Sequence, residues 1–313
     1  MSADGLVGVE ARHLAALQAV AEECSFSRAA TRLGYAQSAV SQQIAALERA
    51  VGLKLVERPG GPKPVSITEA GEIVLRHADR LLARLGALRA DLDQLVAGES
   101  GTLRVGTFQS AGARILPGVV REFRSRWPEV RVEIREELDE AILLEGVAAG
   151  ALDLTFASAS LPVPPQLESV MLLEDRYVLL APPGSPYRGR SDVTLQELDG
   201  LDVIEPPLGV SCELTLQRAW SAAGASRQTV FRTDDNLTVM RMVGAGIGHA
   251  LVPELAAEPG LDADVEFVTL AGGTLVRRIS IFWHRDRYRS RAAETFVEIA
   301  REVGAQILRH PVA

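Results

Sequence analysis

At 313 residues, with 47% apolar and 24% charged side chains, the chain has the make-up of a globular protein of roughly two domains, or three small ones. No stretch approaches ~18 uninterrupted apolar residues and the first residues carry neither a basic start nor an apolar run of signal-peptide length, so a cytoplasmic protein without membrane span is expected. The formal charge of −8 argues against nucleic acid, yet residues 1–98 hold eleven basic and eleven acidic side chains, so the deficit lies wholly in the remainder; residues 28–80 hold eight basic against five acidic.

Residues 1–10 read as a loose leader. Leu14, Leu17, Val20 and Ala21 then recur at helical spacing, predicting a helix over 12–23. Ser27 is expected to cap a short helix, Arg28–Leu33, and Gly34 to permit the bend that follows. A second helix spans 37–50, because Val40, Ile44, Leu47 and Val51 repeat at intervals of four, three and four and bury one face. The opposite face holds Ser38, Ser41, Gln42, Ala45 and Arg49, short and free of carboxylates, as a helix entering the major groove requires. Leu53–Arg58 and Val65–Thr68 flank a turn of Pro59, Gly60, Gly61, Pro62, Lys63 and Pro64 and predict a hairpin wing, with Arg58 and Lys63 placed to meet phosphates. A helix pair alone also fits an ordinary helical hairpin; the wing is what points to a winged helix-turn-helix.

Thr68 is expected to open a long helix to about Ala97, ended by Gly98. Along it Val74, Ala78, Leu81, Leu85, Leu88, Leu92 and Leu95 form an alternating four-three seam, while Arg76, Arg80, Arg84, Arg89, Asp91 and Asp93 lie mostly off it. A helix packed only on its own domain would carry a wider stripe, so pairing between chains is expected, with Leu81, Leu85, Leu88 and Leu92 at the contact. Gly98, Glu99, Ser100 and Gly101 form a polar joint. Beyond it strands and helices alternate (102–108, 115–127, 130–136, 138–149, 152–157), predicting a parallel α/β sheet. The proline-rich 161–165 interrupts the series. Strands are then expected over 170–174, 177–181, 202–204, 230–233 and 248–252, and helices over 212–223 and 237–243. Val265–Leu270 is expected to lead back to the first sheet, Arg277–His284 to be a strand there and 290–308 a closing helix.

No catalytic or metal-binding constellation emerges. The five histidines are scattered, with no i, i+4 pair and no cysteine companions, so no metal site is expected. Gly244-Ala245-Gly246-Ile247-Gly248 lacks dinucleotide-loop spacing and precedes a strand, which suits a helix stop. Neither a G-x-S-x-G elbow nor a Walker loop is present. Acidic pairs such as Glu136-Glu137 and Asp234-Asp235 suit surface or caps. Cys212, at a helix start, suits a pocket wall; a disulfide switch would need a nearby partner, and Cys24 belongs to the N-terminal domain. Neither an enzyme nor a cofactor is expected.

The pieces Ala21–Ala30, Gln37–Ile44, Leu47-Glu48, Gly52, Leu55–Arg58 and Thr68–Gly71 fall in the order and at the spacing of the LysR-type transcriptional regulators, which the chain resembles. Ser38 stands where that family usually has proline, Gln42 where arginine is common, and Ala36 where a capping serine is usual; the missing cap costs about 1 kcal/mol. These departures bear on DNA sequence preference. The resemblance implies a winged helix-turn-helix N-terminal domain, mainly α (1–67), a long linker and dimerisation helix (68–98), and a two-lobed α/β domain like periplasmic binding proteins (99–313). Lobe I would comprise 101–161 and 268–313, and lobe II 162–267.

On this reading the chain is a DNA-binding regulator that contacts double-stranded DNA through Ser27, Arg28, Gln37, Ser38, Ser41, Gln42, Arg49, Arg58 and Lys63. A homodimer or homotetramer would read an interrupted palindrome. A small-molecule effector, expected to be anionic, would lie between the lobes. It would meet strand ends at Thr107, Gln109, Ser110 and Ser158 and the helix start at Ser211, where backbone amides and the helix dipole suit an anion. Arg114 is a further candidate charge. The alternatives are a small-molecule binding protein or enzyme with an incidental helical N-terminus, and an architectural DNA-binding protein without effector.

Overall fold

Residues 8–57, 64–97, 100–158, 161–258, 260, 264–273 and 275–309 are described by a computed structural model, in which the chain divides after Ala90 into two units. The first unit contains α1 (Ala11–Glu23), α2 (Phe26–Leu33), α3 (Gln37–Val51), β1 (Val56–Glu57), β2 (Ser66–Ile67) and the start of α4 (Glu69–Ala97). Leu14, Leu17 and Val20 of α1, Ala29 and Ala30 of α2, and Val40, Ile44 and Leu47 of α3 form one core. The apolar spacing read from the sequence is the buried face.

The α2 start differs from expectation. Cys24 takes a left-handed conformation (φ 48°) that ends α1, leaving Ser25 extended. The Ser25 hydroxyl, and not that of Ser27, therefore accepts the Arg28 amide at 3.4 Å, and Phe26 buries itself as the first helical residue. Gly34, at φ 70°, closes α2, and α3 begins at Gln37 after Ala36, which supplies no side-chain cap. Among the described residues the ladder of the wing pairs Val56 with Ile67 and Glu57 with Ser66. Arg58 and Lys63 lie outside the described residues.

Two polar joints and one close approach lock wing, α3 and α4 together. The Thr68 hydroxyl donates to the Lys54 carbonyl (2.7 Å) and accepts the Gly71 amide (3.0 Å), so it caps α4 while holding the β1 entry. A β-carbon at Gly71 would collide with the Leu55 carbonyl and Ile67. The buried Glu48 carboxylate accepts the amides of Leu55 (3.0 Å) and Val56 (3.5 Å) and pairs with Lys54 (2.8 Å). Farther along α4 the heptad seam divides. Ala78 is fully buried in the N-terminal core and Val74 packs on it, whereas Leu81, Leu85, Leu88 and Leu92 remain about half exposed. The Leu95 side chain lies outside the described residues.

The second unit carries an eight-stranded sheet in the order β4-β3-β5-β12-β6-β11-β7, with β10 also on β6. Its strands are β3 (Gly101–Thr107), β4 (Val130–Glu136), β5 (Leu154–Ser158), β6 (Leu167–Ala181), β7 (Asp192–Val193), β10 (Ala250–Pro253), β11 (Glu266–Leu270) and β12 (Val276–His284). A separate parallel pair joins β8 (Leu201–Glu205) and β9 (Arg227–Arg232). The parallel sheet expected over 102–157 is present, with β4, β3 and β5 parallel, while β12 and β6, outside that series, run antiparallel to their main neighbours. The two strands expected at 170–174 and 177–181 are one 15-residue strand, β6. Its first part pairs with β12 and its last part with β10 and β11, so β6 belongs to both lobes. Accordingly β11 does not lead back into lobe I but pairs with β6 and β7 in lobe II.

Helices cover both faces of each lobe. In lobe I, α6 (Leu116–Arg126) and α10 (Arg291–Arg309) meet through Phe123 and Phe296, 5.3 Å between ring centroids, and α7 (Glu140–Ala149) covers the other side. A short helix, α5 (Gln109–Arg114), precedes α6. In lobe II the two-residue alternation of β6 sorts the core: Tyr177, Leu179 and Ala181 pack with Trp220 of α8 (Ser211–Ala223), while Val178 and Leu180 pack with Val239 and Met240 of α9 (Asn236–Gly244).

Burial opposes ionisation of Glu48, but Lys54 and the two wing amides prevail and hold its carboxyl below the usual 4.5. A lowered native value adds stability above the ordinary glutamate range, and that stability is lost as pH falls through the native value. Glu48→Gln is expected to cost the N-terminal unit about 2 kcal/mol at pH 7 and to flatten its acid-limb pH dependence. Urea melts at pH 7 and pH 4 check this; equal losses at both pH values would show that the charge contributes nothing.

Candidate DNA-reading face and interlobe cleft

The outward face of α3 owes its character to the way Glu48 is used. Glu48 is the sole acid in α3, and it points inward to the wing backbone. Gln37, Ser38, Gln42 and Arg49 are exposed and Ser41 half-buried, leaving a polar surface without carboxylate. Arg49 donates to the Ala45 carbonyl (3.3 Å) and has no ion pair among the described residues. Arg28 is different. It is exposed but bonded to the Glu23 carbonyl and lies 3.5 Å from the Glu23 carboxylate, so part of its charge is neutralised locally. Ser27 is exposed in the first turn of α2, its carbonyl accepting the Thr31 hydroxyl. Tyr35, half exposed in the turn that leads into α3, was not singled out by helical spacing, because a turn residue has no periodicity.

In the second unit a cavity of about 160 Å³ opens between the lobes, walled by Glu140, Ser158, Tyr177, Ser211, Cys212 and Arg277, with Leu161, Pro162, Leu214, Thr215 and Arg218 completing it. The five expected effector residues divide. Ser158, at the end of β5, and Ser211, the first residue of α8, line the cavity. Ser110 is buried and accepts from the Arg277 guanidinium at 2.6 Å. Gln109 spans the lobes, donating to Asp235 (3.3 Å) and accepting the Asn236 amide (3.2 Å). Thr107 is buried at the end of β3, with its hydroxyl 3.3 Å from the Phe108 carbonyl. Arg114 is not in the cavity wall.

Beneath the cavity Arg277 of β12 pairs with Asp175 of β6 at 2.7 Å, both buried, and stacks 5.1 Å over Phe108. Burial disfavours the guanidinium charge, but Asp175, Tyr177 and Glu140 more than offset this, so Arg277 stays charged. Burial also pushes the Tyr177 phenol upward. Above them the Glu140 carboxylate accepts the Ser158 amide and the Ser211 hydroxyl (2.9 Å). Glu140 and Arg277 escaped the sequence reading: an acid at a helix start reads as a dipole partner and an arginine in a strand as surface. Asp235, by contrast, caps α9 through the Thr238 amide (2.6 Å), as expected for that acidic pair. No group of three or more potential metal ligands occurs among the described residues, and none of their helices is long and apolar enough to cross a membrane.

Known proteins match this arrangement over nearly the whole chain. Residues 11–72 match the family model of the bacterial regulatory helix-turn-helix protein, lysR family, and residues 97–305 that of the LysR substrate binding domain. A probable RuBisCO transcriptional regulator of Porphyra purpurea is 30% identical over 287 residues, covering 90% of this chain and 89% of that protein. A probable hydrogen peroxide-inducible genes activator of Streptomyces viridosporus is 33% identical over 249 residues, covering 78% of each. Among solved structures, CbnR, a LysR family transcriptional regulator, shares the fold with a TM-score of 0.66 at 23% identity, covering 95% of this chain and 99% of its own. With both family models satisfied in order and two relatives aligned across most of their length, the chain belongs to the LysR family of DNA-binding transcriptional regulators, whose members carry an effector-binding domain and are not, as a family, enzymes.

Proposed function

We propose that the chain reads an interrupted palindrome in double-stranded DNA with α3, as a homodimer or dimer of dimers, and that a small anionic molecule between the lobes of the second unit modulates this. The observation that carries the DNA half is the carboxylate-free face of α3, since the helix's one acid is consumed in bonding the wing. Gln42 is the exposed amide on that face; a glutamine matches adenine N6 and N7 bidentately. Ser38, Ser41 and Gln37 flank it, Arg49 and Ser27 suit the backbone, and Arg58 and Lys63 on the wing suit phosphates. Arg28 contributes less than a free arginine, because Glu23 shares its charge. A cytoplasmic location follows from this role.

The effector half is carried by the cavity, where Ser158 and Ser211 present donors and Arg218 stands exposed without an ion pair among the described residues. An anion bound there would alter the packing of the lobes and so the DNA-bound assembly. Covalent sensing through Cys212 is disfavoured. Residues 91–313 contain no second cysteine, and burial, opposed only in part by Arg277, pushes the Cys212 thiol upward. Recognition is therefore non-covalent.

The dimer contact is assigned to Leu81, Leu85, Leu88 and Leu92, an apolar row left half exposed on α4. Such a row is a seam awaiting a second helix.

Three measurements check this reading. Gln42→Ala is expected to weaken binding to the chain's own promoter by about 1–3 kcal/mol while leaving random DNA binding unchanged; an equal loss on both would reduce Gln42 to a phosphate contact. Leu85→Asp combined with Leu88→Asp is expected to give monomers whose second unit still melts cooperatively. Persistence of dimers in sedimentation would place the contact elsewhere. Thiol titration with Ellman's reagent at pH 8 is expected to resolve a fast Cys24, which is exposed, from a slow Cys212; equal rates would reopen a redox role for Cys212.

A further inference from the structure

The cleft already contains a carboxylate. Glu140 is the first residue of α7 and yet only 4% exposed. Its side chain is not needed to cap that helix, because Asp139 does so through the Ala141 amide at 2.9 Å. Instead the Glu140 oxygens divide between the lobes, one taking the Ser158 amide at the end of β5 and the other the Ser211 hydroxyl at the start of α8. These are the two donors in the cavity wall that an effector anion would be expected to seek. Arg277 stands in the same wall and its charge is favoured by Glu140.

We propose that Glu140 is a competitor built into the effector cleft: its carboxylate fills the place of an effector carboxylate and ties the lobes together until a ligand displaces it. This rests on the reading of the cleft as the effector site. A carboxylate on the same chain acts at an effective concentration that a free one must exceed. A bare carboxylate that made only the same two contacts would lose. A ligand wins by adding contacts that Glu140 does not make, and the cavity supplies these as the apolar wall of Leu161, Pro162 and Leu214 and as Arg218 at its edge, which has no ion pair among the described residues. The tether thus sets a concentration threshold, and selects carboxylates that carry an apolar body over small ones.

Glu140→Ala removes a fragment the size of acetate, so acetate is the probe. Full-length wild type, Glu140→Ala and Glu140→Gln are melted in sodium acetate and, at matched ionic strength, in sodium chloride. The alanine variant is expected to gain on the order of 3 °C at 100 mM acetate over chloride, while wild type and the glutamine variant, whose place is filled, stay flat. The same acetate response in all three, or in none, overturns the proposal. Should Glu140→Ala not fold, Glu140→Gln decides through hydrogen exchange of the segment ending at Ser158. Exchange several-fold faster than in wild type supports a charged latch on that amide, and unchanged exchange overturns it. Promoter footprints run in parallel separate the two ideas. Acetate rescue with footprints indifferent to Glu140 leaves the filled anion place standing and removes the effector reading. Altered footprints without any acetate response overturn the competitor and leave the effector reading intact.

Discussion

The second unit turns on one buried ion pair, Arg277 with Asp175. The two residues face each other in the β12–β6 ladder, close to where β6 passes from pairing with β12 to pairing with β10 and β11. Two charges at that depth are costly unless further hydrogen bonds offset their burial. Here Asp175 also accepts the Leu255 amide (3.1 Å), and Arg277 also donates to Ser110 and lies over Phe108. The pair therefore fastens β6, β12, α5 and the turn after β10 at a single point. It also leaves a positive group in the cavity wall, whose charge Glu140 favours.

The first unit solves a related problem with one charge. A helix that presents its face to phosphates cannot also show a carboxylate there, yet α3 contains Glu48. Turning that residue inward removes it from the face and converts it into an acceptor for two wing amides and Lys54. Thr68 and Gly71 finish the same joint, the hydroxyl by serving α4 and the Lys54 carbonyl together, the glycine by letting the α4 backbone approach Leu55. The residues that carry the family resemblance in this region are thus those that hold α3, wing and α4 in fixed relation.

Local rules carried most of the elements. The α3 period, the uncapped Ala36 start, the Gly34 bend and β4 over 130–136 all follow from neighbours within a few residues, and all stand in the structure. What depends on distant partners was not legible. Ser25 and Ser27 are equivalent as caps until the left-handed Cys24 fixes the chain direction. The continuity of β6 and the antiparallel setting of β12 are decided by pairings about a hundred residues apart, which periodicity does not encode. The cleft shows the same limit: strand-end rules found Ser158 and Ser211, but the residue that joins them, Glu140, sits 18 positions from one and 71 from the other.

The seam of α4 shows how one pattern serves two partners. A four-three repeat reads as a single stripe, and from spacing alone all seven positions are equivalent. Burial separates them. Ala78 has no exposure and Val74 packs on the N-terminal core, because the first turns of α4 are held there by Thr68 and approach closely at Gly71. From Leu81 onward the stripe has left that core, although Leu82 beside it still packs there, and it continues as four half-exposed leucines. A side chain shared between core and solvent in this way gains little from folding of one chain, since the apolar area that remains wet contributes nothing until it is covered. The first half of the seam is thus spent on folding of the N-terminal unit, while the leucine row keeps apolar area that only a further partner would cover.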